Sequence, residues 1–332
     1  MDDVVPASPL PSLGEIDAGL RVVALPLRTR FRGVDNREIA LVRGPEGWTE
    51  FSPFLEYGAE ESAAWLRAAI DYGWSEQPAP LRDRIPVNAT IPAVAPHEVA
   101  AVLASYHGCR TAKVKVAERG QTLADDVARV VEVRRLLGPE GRIRVDANGG
   151  WNLDEAEHAV HALAESDLEY VEQPCASVDE LAELRYRVKY MGIPIAADES
   201  VRKAADPLAV ARAGAADLLV VKVQPLGGTR RALALVAEAG LPAVVSSAID
   251  SSVGLAMGAA LAAALPELPF DCGLGTASLL AADVTERPLR PVDGGIPVGR
   301  VEVSEELLSR HAVSPERLAW WRARLRDSYA LL

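Results

Sequence analysis

Cysteine is scarce in this chain of 332 residues. Cys109, Cys175 and Cys272 are the only three, and none stands in a Cys-x-x-Cys spacing. They read as buried free thiols of a reducing cytoplasm. No apolar run reaches the roughly 18 residues that a membrane helix needs, and the opening Met-Asp-Asp lacks the basic stretch of a secretory leader. Positive charge is also short. Lysine and arginine total 35 against 47 acidic residues, a net charge of −12 with no evident basic patch, which argues against nucleic acid as a partner. A small anionic substrate stays open, because the field inside a site can oppose the global charge. The Gly-x-Gly-x-x-Gly turn of a dinucleotide-binding sheet is missing too.

What is present is a soluble composition, 49% hydrophobic and 25% charged, at a length that suits a barrel plus an accessory domain. From about Ile85 strand-like and helix-like segments alternate. Strands are expected at 85–92, 111–117, 143–148, 168–173, 193–198, 218–223, 243–248 and 270–273. Amphipathic helical patterns lie between them, for example at 123–137, 154–164 and 178–190. Eight strands with intervening helices predict an α/β fold of the TIM-barrel type, and the missing helix after the last strand makes it (β/α)7β. Residues 1–84 read as an α+β capping domain, with antiparallel strands at 20–26, 38–43 and 47–51 and a helix at 60–72. The barrel takes 85–286, and the tail 287–332, carrying Trp320 and Trp321, is expected to return onto the capping domain. Oligomeric state is not legible.

Five of the barrel strands carry charge inside apolar runs: Lys113 and Lys115, Asp146, Glu172, Asp198, and Lys222. Successive positions from Lys115 onward are 31, 26, 26 and 24 residues apart, one helix and one strand each. Charge inside a strand is costly unless paired or bound to a metal. The lysines sharpen the point. Only Lys113, Lys115, Lys189, Lys203 and Lys222 occur, the other thirty basic residues being arginine, yet three of the five lie mid-strand. Lysine can lose its proton when crowded and arginine effectively cannot, which is what a catalytic base requires. Strand side chains alternate, so Lys113 and Lys115 share one face, and Arg144, Asp146 and Asn148 another. With apolar residues facing the helices, the charges face the barrel interior, near the C-terminal strand ends where such barrels keep their sites. Three carboxylates converging there need a cation, and hard oxygen ligands without His or Cys indicate Mg²⁺ or Mn²⁺. A metal beside a poised lysine suits abstraction of a proton alpha to a carboxylate.

Lys-x-Lys, Asp-x-Asn, Glu-Gln-Pro, Asp-Glu-Ser and Val-Lys on successive strands resemble the enolase superfamily, in its muconate-lactonising subgroup. The resemblance covers nearly the whole chain, including the stretch Gly47 to Pro53 in the capping domain. It implies that Asp146, Glu172 and Asp198 hold the metal, with Asn148 and Glu199 beside it. It makes Lys115 the base, Lys113 a cationic neighbour, and Lys222 the stabiliser of an enediolate. The segment Val-Val-Ser246-Ser247-Ala-Ile-Asp-Ser251-Ser252-Val-Gly254 points, within the subgroup, to dehydration of a cyclohexadiene carboxylate in menaquinone synthesis. Ser246, Ser247 and backbone N–H groups around Gly273 and Gly275 would then bind the substrate's side chain. The alternative on the same site is a racemase or epimerase of N-acylated amino acids or dipeptides.

Other features take plainer readings. His158 and His161 suit a solvated helix face. Gly227-Gly228 before Thr229 is a tight strand-to-helix turn with the look of a phosphate cradle. The arginine-rich stretch from Arg28 to Arg37 is a candidate lid or a solvated loop.

Overall fold

The computed structural model describes residues 10–31, 33–203 and 206–332. The opening Met-Asp-Asp lies outside the described residues. A short helix α1 (Leu13–Ala18) leads into a long hairpin, β1 (Arg21–Phe31) and β2 (Val34–Gly44), and then β3 (Gly47–Phe51). The three strands form an antiparallel sheet in the order β1-β2-β3, and α2 (Ala59–Trp74) packs Trp65, Leu66, Ala69 and Ile70 into its core. The stretch expected as a lid loop is thus mostly the outer part of a hairpin. Arg37, within it, is 2% exposed rather than solvated.

The barrel follows. Its strands and helices run β4 (Arg84–Pro86), β5 (Ala89–Ile91), α3 (Val99–Leu103), β6 (Thr111–Lys115), α4 (Leu123–Leu137), β7 (Arg142–Asp146) and α5 (Leu153–Leu163). They continue through β8 (Leu168–Glu172), α6 (Val178–Val188), β9 (Ile195–Ala197), α7 (Glu199–Arg202), α8 (Ala209–Arg212) and β10 (Leu218–Val221). Last come α9 (Thr229–Ala239), β11 (Ala243–Val245) and α10 (Ser252–Ala264). Strands β5 to β11 form one parallel sheet in chain order. Cys272 bridges Val87, and Gly273 bridges Ser246, so the expected eighth strand is reduced to two residues that join the sheet's edges. The run expected as one strand at 85–92 is divided. Pro86 has no N–H for a ladder, and β4 pairs instead with β12 (Gly295–Pro297) of the tail.

Local sequence explains the sharp helix starts. Thr122, Asn152 and Ser177 each accept a hydrogen bond from the backbone N–H three residues on, and the side chains of Asp125, Glu155 and Glu180 accept one from the cap's N–H. Such caps contribute about 1 kcal/mol each. Period-two alternation does the rest. Ile143 and Val145 of β7 join the core between sheet and helices, whereas Arg144 and Asp146 point inward. Low in the barrel, Arg144 lies 4.8 Å over the Tyr170 ring and donates to Glu169, Asn88 and the Asp271 carbonyl. The upper interior is left for polar groups.

The tail, α11 (Glu305–Arg310) and α12 (Pro315–Tyr329), adds Leu308, Trp321 and Leu325 to the N-terminal core. Trp321 Nε1 donates to Glu38 at 2.7 Å, and Arg324 donates to the carbonyls of Phe54 and Tyr57 at 2.6 and 2.8 Å. The fold is therefore a (β/α)7β barrel with an N-terminal α+β cap completed by the tail, as the sequence pattern led us to expect.

Candidate active site

Parallel register brings the charged residues together. Lys115 pairs with Asp146 across β6 and β7, and Asp146 with Glu172 across β7 and β8. All point into the barrel at its C-terminal end. Lys113 Nζ lies 2.8 and 3.1 Å from the two Glu172 oxygens and 3.1 Å from Asp146 Oδ2. Lys115 Nζ donates to Asp146 Oδ2, and to Asn148 Oδ1 at 2.8 Å. Across the barrel, Lys222 Nζ sits 2.5 Å from both oxygens of Asp198. Arg202 closes the ring: Nε donates to Asp198 Oδ1 at 3.0 Å, one Nη to Glu199 Oε1 at 2.7 Å, the other to the Tyr57 hydroxyl at 2.9 Å. Asn148 Nδ2 reaches Glu199 Oε1 at 3.2 Å.

None of these three carboxylates or three lysines is more than 7% exposed, so each ionisation depends on its neighbours. Burial and the nearby Asp146 charge push the Glu172 carboxyl up to about 7, against the pull of Lys113. For Lys113 burial works against the ammonium, but Glu172 and Asp146 outweigh it and hold its pKa above the ordinary range. Asp198 is the reverse of Glu172: burial would raise it, yet Lys222 and Arg202 together hold it below the usual carboxylate range. Lys222 is lowered, chiefly by burial, with Arg202 adding to the effect and Asp198 opposing it.

The cleft above these groups is also lined by Phe31, Phe54, Thr90, Asn148, Arg202, Ser246, Ser247, Ala248, Ile249, Gly273 and Thr276. Phe31, at the end of β1, holds its ring 5.4 Å from Lys115 Nζ. Ser247 Oγ donates to the Gly273 carbonyl at 2.7 Å. A Cβ at Gly273 would stand 2.4 Å from Ser246 Oγ, so a larger residue there would displace the Ser246 hydroxyl. Four non-glycine residues in the loops that follow the strands have positive φ: Ala117, Asn148, Gln173 and Ile249. Such strain costs on the order of 1–3 kcal/mol per residue and gathers where function constrains the backbone.

Most residues singled out in the sequence meet here, with differences. Glu172 lies beneath the cleft rather than on its wall. Gly275 is not on the wall either; its Cα faces the Asn88 carbonyl and the Tyr106 ring. Arg202, Phe54, Thr90 and Thr276 were not foreseen, while Phe31 falls in the candidate lid 28–37 and Ile249 in the stretch from Ser246 to Gly254. Arg202 had a signal, standing four residues after Asp198 on a short helix. The Gly227-Gly228 turn is filled from within: Asp71 of α2 accepts from Thr229 N at 3.2 Å and from Arg230 at 3.0 Å. His158 and His161 are exposed, and His161 Nε2 lies 3.0 Å from the Tyr190 hydroxyl.

Comparison with known proteins gives the family. The model described as "Enolase C-terminal domain-like" matches residues 95–301, and "Enolase N-terminal domain-like" matches 22–73. An o-succinylbenzoate synthase of Thermobifida fusca is 60% identical over 308 residues, 92% of this chain and 94% of that one. One of Mycobacterium leprae is 55% identical over 324 residues, 97% and 95%. The chain belongs to the o-succinylbenzoate synthase family of the enolase superfamily. Among solved structures, a 2-chloromuconate cycloisomerase from Rhodococcus opacus superposes with a TM-score of 0.74 at 24% identity, over 89% of this chain and 98% of that one. The muconate lactonizing enzyme from Pseudomonas putida gives 0.71 at 20%, over the same shares. These two likenesses concern the fold.

Among the described residues no three His, Cys, Asp or Glu side chains form a ready-made metal cluster; lysine ammoniums take up the oxygens of Asp146, Glu172 and Asp198. The donor set nonetheless fits a hard divalent cation. It offers three buried carboxylates from successive strands, bridged by ammonium groups where a cation would sit, and no sulfur or imidazole. No helix among the described residues is long and apolar enough to cross a membrane.

Proposed function

We propose that this chain is an o-succinylbenzoate synthase, removing water from 2-succinyl-6-hydroxy-2,4-cyclohexadiene-1-carboxylate to give 2-succinylbenzoate for menaquinone synthesis. It is a carbon–oxygen lyase. Identity of 60% to the Thermobifida fusca synthase, over 92% of the chain, carries this reading.

Asp146, Glu172 and Asp198 would hold Mg²⁺, or Mn²⁺ in its place. Bound there, the metal would supply a Lewis acid for the ring carboxylate and for the charge that develops on it as the alpha proton leaves. The charge balance explains why lysine serves as base. Three carboxylates already face three lysines, so a divalent cation leaves the cluster over-positive. Losing an ammonium proton relieves that excess, and lysine can do so where arginine cannot.

Neutral Lys115 Nζ takes the proton alpha to the carboxylate. The C–H electron pair first moves toward the carboxylate as enediolate character, then returns to the ring as π density as the adjacent C–O bond breaks. In a syn elimination the same Nζ returns the proton to the departing oxygen, which leaves as water. Asn148 holds Lys115 at 2.8 Å and keeps it aimed. Lys113, bridging Glu172 and Asp146, stays charged. Lys222 stays a cation facing the developing enediolate and the ring. Ser246, Ser247 and the backbone near Gly273 receive the succinyl chain. The chain acts in the cytoplasm, in keeping with Cys109, Cys175 and Cys272 all being free thiols.

The test is metal dependence. Dehydration should stop with chelator and return with Mg²⁺ or Mn²⁺, and Asp146→Asn and Asp198→Asn should bind Mg²⁺ more weakly by calorimetry. Full activity in metal-free protein would refute the assignment of the carboxylates.

A further inference from the structure

Two charged residues of the cap are buried at the barrel's mouth and play no part in the chemistry above. Glu50 on β3 is 0% exposed and Arg37 on β2 is 2% exposed. Both reach across the domain boundary to the segment that follows β11. Glu50 Oε2 accepts from Ser251 N at 3.1 Å, Ser251 Oγ at 2.5 Å and Gly254 N at 3.0 Å. Its other oxygen accepts from Ser52 Oγ at 2.5 Å. Arg37 Nε donates to the Ile249 carbonyl at 3.3 Å, and its guanidinium lies 4.3 Å over the ring of Phe54, a residue of the cleft wall.

The segment held this way is strained and lines the site. Ile249 has φ +61°, a conformation that a β-branched residue avoids. Such a residue stays put only where its surroundings over-determine it. Ser246, Ser247, Ala248 and Ile249 all face the cleft. Gly254 is the notch that admits the clamp: a Cβ there would stand 2.8 Å from the Glu50 carboxyl carbon.

We propose that Arg37 and Glu50 are positioning residues that hold 246–251 in the one conformation able to receive the substrate's side chain. The cap thus sets substrate affinity through the barrel's own loop. The inference rests on the dehydratase reading only for the identity of the substrate. If a loosened clamp leaves about a tenth of molecules in the competent conformation, apparent affinity falls about tenfold. The lysines are untouched, so kcat holds, and the loss is in KM.

The experiment compares Glu50→Ala, Glu50→Gln and Gly254→Ala in Mg²⁺-loaded protein. It reads kcat and KM for dehydration, Kd for 2-succinylbenzoate, and amide exchange across 246–254. Glu50→Ala and Gly254→Ala should raise KM and Kd about tenfold with kcat within about threefold. Exchange should quicken at Ser251 and Gly254 and stay unchanged in β6 to β8. Glu50→Gln keeps an acceptor for both amides and should restore wild-type KM and exchange. Unchanged KM, Kd and exchange in Glu50→Ala would overturn the proposal, as would a fall in kcat at constant KM. If Glu50→Ala does not fold, Gly254→Ala decides by the same readings. If the wild type does not dehydrate the substrate, the dehydratase reading fails. The clamp is then decided by exchange alone: quickened loop amides in the variants uphold it, and unchanged ones overturn it.

Discussion

Replacing Lys115 with arginine separates its charge from its chemistry. Lys115 Nζ donates to Asp146 and, at 2.8 Å, to Asn148, beneath the Phe31 ring at 5.4 Å. Arginine keeps a positive charge beside Asp146 and so preserves the local ion pairing. It cannot release its proton at any working pH. Only the acid–base role is removed, a role that typically contributes about 10²–10⁴-fold. That range corresponds to about 3–5 kcal/mol of barrier. The assay follows loss of the diene absorbance under saturating Mg²⁺, with product binding measured by calorimetry on the same protein. We expect kcat to fall by about 10²-fold or more, with the Kd for 2-succinylbenzoate within about threefold of wild type, because carboxylates and pocket remain. A Lys115→Arg enzyme that turned over within about threefold of wild type would refute the reasoning and pass the role of base to Lys222.

Two further outcomes concern stability. Arg144→Met strips Glu169, Asn88 and the Asp271 carbonyl of their buried partner, and breaking such a pair costs about 3–5 kcal/mol; urea unfolding should show that loss, and a loss under about 1 kcal/mol would contradict the pairing. Burial, with Asp250 adding, pushes the Glu50 carboxyl up to about 7. The fold therefore favours its protonated form, and the stability so gained is present below the unfolded pKa of about 4.5 and fades as pH rises through about 7. Unfolding free energies from pH 4.5 to 7.5 should decline less steeply in Glu50→Gln than in wild type, and parallel curves would contradict the shift.

What was legible in the sequence follows from one physical fact: charge inside a strand needs a reason. Lys113, Lys115, Asp146, Glu172, Asp198 and Lys222 interrupt apolar runs at the spacing of one βα unit, so both the barrel and the convergence of these residues could be read before any coordinates. Glu50 obeys the same rule, buried between Thr49 and Phe51 on β3, but it has no periodic companions, and its partners in the barrel, Ser251 and Gly254, lie 201 and 204 residues on, at the start of α10. Arg202 reads as an ordinary helix-end arginine until α7 turns it back on Asp198. Gly275 stands between Gly273 and Thr276, which line the cleft, with its Cα turned to the Asn88 carbonyl and the Tyr106 ring, a turn of the backbone that the glycines alone do not announce. The division of 85–92 depends on β12, more than two hundred residues downstream, which local pattern cannot foresee. The solvated-loop alternative for 28–37 failed at Arg37 for a related reason: arginines suggest solvent, yet Arg37 alternates inward on β2.

The central claim is that this site eliminates water rather than moving a proton from one face of a carbon to the other. An aromatic product makes elimination strongly downhill, so one lysine suffices, whereas racemisation requires Lys222 to exchange protons as well. The most direct measurement supplies the purified Mg²⁺-loaded protein with the cyclohexadiene acid and, separately, with N-succinyl amino acids in D₂O. Diene loss and alpha-proton exchange are then compared as kcat/KM. The account predicts rapid conversion to 2-succinylbenzoate and little or no exchange. Exchange that needs both Lys115 and Lys222, at an efficiency rivalling dehydration, would contradict it.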